Sequence, residues 1–256
     1  MEKITDLHVH TRFSCDSSES FENHCRRAIG RGVSAVCFTD HADFNKADDG
    51  YGFCDPDAYF AEFARAGQTY GGQVELLAGV EFDEPHIFRS EFDALKKYPY
   101  DFILGSVHLW HGDLFPSQMI QQGISAEDCF ETYWDELEKA AEAGGFDCLG
   151  HFDFPKRFYK KLVYKAEKIE KICRALIKNG VAVELNTSSL RRGMDVALPD
   201  KEILSIYKQC GGRCVTIGSD AHSASDLAAG NAYAKKLIEY FGFAEVIFRH
   251  RKIFEK

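Results

Sequence analysis

No apolar run in this chain approaches the roughly 18 residues that a membrane-spanning helix needs. A strand-like segment at residues 4–8 begins too early to leave room for a secretory leader. A cytoplasmic location with no membrane partner is therefore expected. Basic clusters are also missing: 31 Lys and Arg stand against 40 Asp and Glu, a formal charge of −9, and no block of like charge offers an arm for nucleic-acid backbones. Nucleic acid is accordingly not an expected partner. Nine cysteines occur, yet no CxxC pair does, and Cys210 and Cys214 lack a second pair at zinc-finger spacing. An odd number in a chain of 256 residues, long enough for a real core, reads as reduced thiols acting as small hydrophobes. Repeats, low-complexity tracts and Pro/Ser-rich linkers are absent, so one domain over residues 1–256 is expected.

What is present is a rhythm. Short apolar runs at residues 4–8, 35–39, 74–80, 102–107, 148–150, 181–185 and 214–218 are each followed by a longer stretch, most of them with helical periodicity. Ser20, Asp57 and Ser125 stand as helix openers, and glycines such as Gly32, Gly144 and Gly180 close helices just before the next strand. Seven such units predict an α/β fold with a parallel sheet or barrel. Residues 112–123 read as a long loop after the fourth strand, of the kind that often carries function.

In a parallel barrel the chemistry sits where strands end, because the loops there converge on one rim. Six of the ten histidines, His8, His10, His41, His108, His151 and His222, fall within a few residues of such an end. Asp16, Glu81 and Asp220 join them. Imidazole with carboxylate is the donor set of zinc, manganese and iron, whereas calcium and magnesium sites are built mainly from oxygen. Nine candidates exceed the three or four ligands of one zinc ion, which points to two or three divalent transition-metal ions sharing carboxylates. The excess positive field of such a cluster suits a phosphate ester, and the ions lower the pKa of water that would attack phosphorus.

The set DxHxH (Asp6, His8, His10), TDH (Asp40, His41), Glu81, His108, His151 and GSDAH (Asp220, His222) resembles the polymerase and histidinol phosphatase (PHP) superfamily. The resemblance spans residues 6–222 and implies a distorted, TIM-like (β/α)7 barrel. It also implies a centre of three divalent metal ions (zinc, manganese or iron) held by His8, His10, Asp16, His41, Glu81, His108, His151, Asp220 and His222. Asp16 stands where other branches of that superfamily often carry histidine. The stretches GVEF, GSVH, GHFDFPKRF, ELNTSSLRRG and GSDAHS are most similar to its monofunctional histidinol-phosphate phosphatases. That likeness implies hydrolysis of a small phosphate ester, L-histidinol phosphate, with Arg157 and one of Arg191 or Arg192 clamping phosphate. Guanidinium suits that role through its planar fork of donors.

Further candidates carry less signal. Asp220 and His222 are possible acids for the leaving group, as is a metal-bound water. Ser106 and Asn186 are candidate phosphate donors, and His111 is expected at the mouth of the site. Asp6 and Asp40 either orient imidazoles or merely end strands. Phe152, Phe154, Phe158 and Tyr159 could wall off an imidazole ring, although such aromatics are more often packing. Asp43 and Glu84 are candidates for an amine, while His24, His86 and His250 read as structural. Competing functions are phosphoester hydrolysis of nucleotides or phosphotyrosine, and a non-catalytic regulatory barrel. An amidohydrolase would need a modified lysine where this chain has His108.

Overall fold

The computed structural model describes residues 3–255. Seven parallel strands pair in chain order: β1 (Ile4–Val9), β2 (Val33–Ala42), β3 (Glu75–Asp83), β4 (Phe102–Ser106), β5 (Cys148–Leu149), β6 (Ala182–Asn186) and β7 (Cys214–Gly218). At their carboxyl ends the ring closes through a parallel bridge of Val9 with Ala221, where His10 N donates to Ala221 O at 2.8 Å. The result is the distorted (β/α)7 barrel expected from the sequence. Around it lie helices α1 (Phe21–Arg31), α2 (Pro56–Tyr70), α3 (Arg89–Leu95), α4 (Pro116–Gln121), α5 (Ala126–Ala143), α6 (Lys156–Tyr159), α7 (Ala166–Lys178), α8 (Ser188–Arg191), α9 (Lys201–Gln209) and α10 (Asn231–Phe241).

Local chemistry explains the helix starts. Ser20 Oγ accepts from Asn23 N and Ser125 Oγ from Asp128 N, each satisfying an orphan donor of the first turn. In α2 the cap is Asp55 rather than Asp57, with Pro56 in the first turn, where its missing N–H costs nothing. Gly32 closes α1 at φ 68°, a conformation that a Cβ would penalise. Residues 112–123 are not all loop, because Pro116–Gln121 forms a short helix whose Met119 is buried.

Strand alternation divides the barrel interior into layers. On β2 the inward residues rise from Ala35 and Cys37 to Thr39 and His41, on β3 from Leu77 to Glu81 and Asp83, and on β4 from Phe102 and Leu104 to Ser106. The lower members belong to an inner apolar cluster and the upper members to a polar rim. β1 breaks the alternation: three of its residues span the interval that two cover on β2, between the pairs Asp6 with Val36 and Val9 with Phe38. This bulge lets Leu7 join the inner cluster while its neighbour His8 reaches the rim.

Two elements were not among the seven expected units. β8 (Ala244–Arg249) pairs with the lower end of β7, and β9 (Lys252–Glu255) returns antiparallel to it. Val246, Ile247 and Phe248 enter the inner cluster beside Leu7, Leu77 and Phe102, so the hairpin plugs the amino end of the barrel. Arg251 fastens it by pairing with Asp147 at 2.9 Å, and Arg249 pairs with Glu75 through both carboxylate oxygens. All nine cysteines are free, and among the described residues no helix is long and apolar enough to cross a membrane.

Candidate metal centre

The upper layer gathers all nine sequence candidates. Three groups of donor atoms, each with members within 4.8 Å of one another, are His8, His10 and Asp220; Glu81, His108 and His151; and His10, Asp16, His41 and His222. Glu81 stands between them: its Oε2 lies 2.9 Å from His8 Nε2 and 3.3 Å from His10 Nε2, and its Oε1 2.9 Å from His151 Nε2. His222 Nε2 lies 2.7 Å from Asp16 Oδ2. Two pairs of imidazole nitrogens face each other, His8 with His10 at 2.9 Å and His108 with His151 at 3.1 Å, both through Nε2. Lone pairs so placed repel unless a shared cation or proton lies between them.

The rear nitrogens show why the rings point this way. His8 Nδ1–H donates to Glu184 at 2.6 Å, His108 Nδ1–H to Asp83 at 2.6 Å and His10 Nδ1–H to Ser14 at 2.9 Å. Each donation fixes a tautomer that leaves Nε2 free as a ligand. The donor set therefore fits borderline transition ions. Burial, with His222 and His41 nearby, lowers the His10 pKa to about 3 and keeps that ring neutral. Burial would raise the Glu81 carboxyl, but His8 and His41 outweigh it and hold it well below the ordinary value. Asp220 is likewise opposed by burial and held low by Arg157 and His8. Burial, reinforced by Asp43, pushes Asp83 well above the carboxylate range.

Backbone geometry contributes as well. Asp220 sits at φ 55° and is aimed by Asp220 N donating to His8 O at 2.8 Å. Gly218, two residues earlier, admits no side chain, because a Cβ would fall 2.0 Å from Glu184 Oε1.

Beside the donors opens a cavity of about 440 Å³. Arg157, 8% exposed, lines it and donates to Asp220 Oδ2 at 2.8 Å and Ser188 Oγ at 2.7 Å, while its Nε has no partner. Of the adjacent arginines, Arg192 lines the cavity. Arg191 is turned away: it donates to Ser219 O and Asp220 O and pairs with Asp226, bracing the turn that carries Asp220. The two side chains diverge because consecutive residues at the end of the four-residue helix α8 point in different directions.

Ser106 donates to Glu81 Oε1, and Asn186 donates to Glu184 and Asp220, so both hold site carboxylates rather than face the cavity. His111 is exposed at φ 53° on the turn between Trp110 and Leu114 and does not line the cavity, against its expected place at the mouth. Phe154 and Phe158 line the cavity, whereas Phe152 is core and Tyr159 donates to Ile124 O. Asp43 lines it too, but Glu84 is taken up by the backbone N–H groups of His108 and Leu109. Asp40 reaches His10 only through Ser14, and Asp6 ties β1 to Ser219 and Ala228. His24, His86 and His250 lie outside the site: His24 donates to His10 O, His86 pairs with Glu136 and His250 is on the surface. The sequence reading missed Glu184 and Asp83. Both occupy inward positions of their strands, and an acid at an inward position was the available signal.

Fold and site together define a (β/α)7 barrel with a cluster of histidine and carboxylate side chains of metal-donor type at its carboxyl rim. The chain belongs to the PHP domain family, whose model matches residues 6–188. Among its relatives, histidinol-phosphatase of Lactococcus lactis is 28% identical over 95% of this chain and 93% of its own length. A probable histidinol-phosphatase of Thermotoga maritima is 28% identical over 94% of this chain and 93% of its own. The crystal structure of the Lactococcus lactis histidinol phosphate phosphatase, complexed with zinc, L-histidinol and phosphate, superimposes with a TM-score of 0.85 at 26% identity. It covers 98% of this chain and 99% of that one.

Proposed function

We propose that this chain, acting as one barrel over residues 1–256, is a cytoplasmic phosphomonoesterase that hydrolyses L-histidinol phosphate to L-histidinol and phosphate. The observation that carries the reading is the convergence of nine histidine and carboxylate donors beside a cavity that Arg157 and Arg192 enter. Full-length likeness to histidinol-phosphatases narrows it to this ester.

Three divalent transition ions (zinc, manganese or iron) are the proposed cofactors. His8, His10 and Asp220 would hold the first, Glu81, His108 and His151 the second, and Asp16, His41 and His222 the third, with Glu81 and His10 near more than one. Bound there, such ions neutralise phosphoryl charge and lower the pKa of water. The chain's own residues supply the rest. Glu184 and Asp83 lock the tautomers of His8 and His108. Arg157, fixed by Ser188 and Asp220, offers its guanidinium to a phosphate oxygen from the cavity wall, and Arg192 adds a second guanidinium. Arg191 acts indirectly by holding the Asp220 turn.

The test is a comparison of kcat/KM on histidinol phosphate, mononucleotides and phosphotyrosine, with metal analysis of the purified protein. Histidinol phosphate should lead by at least about tenfold, a gap of about 1.4 kcal/mol in the barrier. A lead by another ester would reassign the substrate. Bound metal with no hydrolysis under any divalent ion would mark a regulatory barrel.

A further inference from the structure

β1 pairs with β2 only as far as Val9 with Phe38, while β2 runs on to Ala42. Where β1 has ended, the turn after it takes over: Ser14 Oγ accepts from His41 N at 2.9 Å. The same oxygen lies 2.9 Å from His10 Nδ1 and 3.0 Å from Asp40 Oδ1. Ser14 and His10 are both fully buried, so bulk water does not compete for these contacts. A hydroxyl has one proton to donate and two lone pairs with which to accept. The His41 amide can only donate. The Asp40 carboxylate acts as acceptor, since its oxygens also take Thr11 N at 2.5 Å and Thr11 Oγ1 at 2.8 Å. Ser14 therefore gives its proton to Asp40, and its remaining lone pair is left for a proton on His10 Nδ1. With the proton there, the ring carries its free lone pair on Nε2, the atom that faces His8 Nε2 and Glu81. His222 stacks on that ring with centroids 4.1 Å apart, and His41 lies 4.5 Å from it.

We propose that Ser14, oriented by Asp40, is a positioning residue of the metal centre: its one hydroxyl holds His10 and His41 in ligating geometry and so controls the loading of two of the three cation sites. This rests on the metal-centre reading above and adds a coupling between its ions. His10 belongs both to the donor group with His8 and Asp220 and to the group with Asp16, His41 and His222, whereas the group of Glu81, His108 and His151 contains neither His10 nor His41. Ser14 does not line the cavity, so its effect reaches the reaction only through the two imidazoles. Without the hydroxyl, a proton on His10 Nδ1 would be buried with no acceptor, which favours its transfer to Nε2 and removes the ligating lone pair.

The experiment equilibrates the full-length wild type, Ser14→Ala and Ser14→Cys with zinc over a range of buffered free concentrations and counts bound equivalents by elemental analysis. In Ser14→Ala two equivalents should bind about 10–100-fold more weakly and the remaining one as in the wild type. Ser14→Cys, whose thiol is a weak donor and acceptor, should fall between the two. Proton NMR of the zinc-loaded proteins adds a readout that a general loss of stability would not move. The His10 Nδ1 proton, identified by its absence in His10→Gln, should be protected from solvent exchange in the wild type and lose that protection in Ser14→Ala. The corresponding protons of His8 and His108, held by Glu184 and Asp83, should stay protected in both. An equal loss of affinity at all three equivalents, or an unprotected His10 proton in the wild type, would overturn the proposal. If Ser14→Ala does not fold, Ser14→Cys decides, and zinc bound as tightly as by the wild type refutes the role of the hydroxyl. A wild type that takes up no zinc overturns the metal-centre reading and this proposal with it, whereas three ions held with unchanged affinities in Ser14→Ala overturn this proposal alone.

Discussion

At the scale of single residues, the rings of His8, His10 and His108 are each held by a neighbour that the sequence pattern does not advertise. His8 and His10 are visible as an HxH pair, but Glu184, which fixes the His8 tautomer, arrives from 176 positions away. Replacing His10 by Ala or Asp220 by Asn should remove most phosphatase activity, whereas His250→Ala, on a surface turn, should not; steady-state assays of the three proteins check this. Glu184→Gln keeps the shape but weakens the acceptor for His8 Nδ1–H, and metal affinity should fall by about 10–100-fold, as read by competition with a fluorescent chelator. Gly218→Ala should be poorly tolerated, because its methyl group would displace that same carboxylate.

At the scale of elements, six of the seven expected strands have ends that differ from those observed: β4 and β5 stop one residue short of expectation, whereas β1, β2, β3 and β6 run past it for a common reason. Apolar runs mark only the part of a strand that crosses the core, while the chain stays extended for one to three residues beyond. β2 runs on through Asp40, His41 and Ala42, and β3 through Glu81, Phe82 and Asp83. The polar tips were legible as chemistry and for that reason were not read as strand. The bulge in β1 was beyond reach, since it depends on pairing with β2. The final hairpin escaped because its run from Val246 to Phe248 follows the last helical stretch with no further helix to complete another unit. Arg251→Ala should destabilise the fold by about 1–3 kcal/mol, because Asp147 would stay buried without its counter-charge. Denaturant titration would measure it, and metal stoichiometry should remain that of the parent.

At the scale of the whole molecule, the barrel concentrates acidic and imidazole groups in one layer whose mutual repulsion a cation relieves. Removing metal with a chelator should therefore lower the melting temperature as well as abolish activity, and restoring zinc or manganese should recover both, in line with mass-action stabilisation of the folded state. A chelated protein that melts unchanged would show that the rim is rigid without ions. The overall architecture was legible from the rhythm of seven units and from the histidines at strand ends, because both periodicity and barrel topology are local in sequence. The cavity was not, since its lining is assembled from the loops after β2, β5 and β6, which are distant in sequence.

The C-terminal hairpin seals the barrel at the pole farthest from the rim, and its outer strand β9 lies open to solvent along Lys252–Glu255. Tethering the molecule to a solid support through that strand would turn the entrance outward to the liquid, so an immobilised preparation should keep the turnover rate it shows when free.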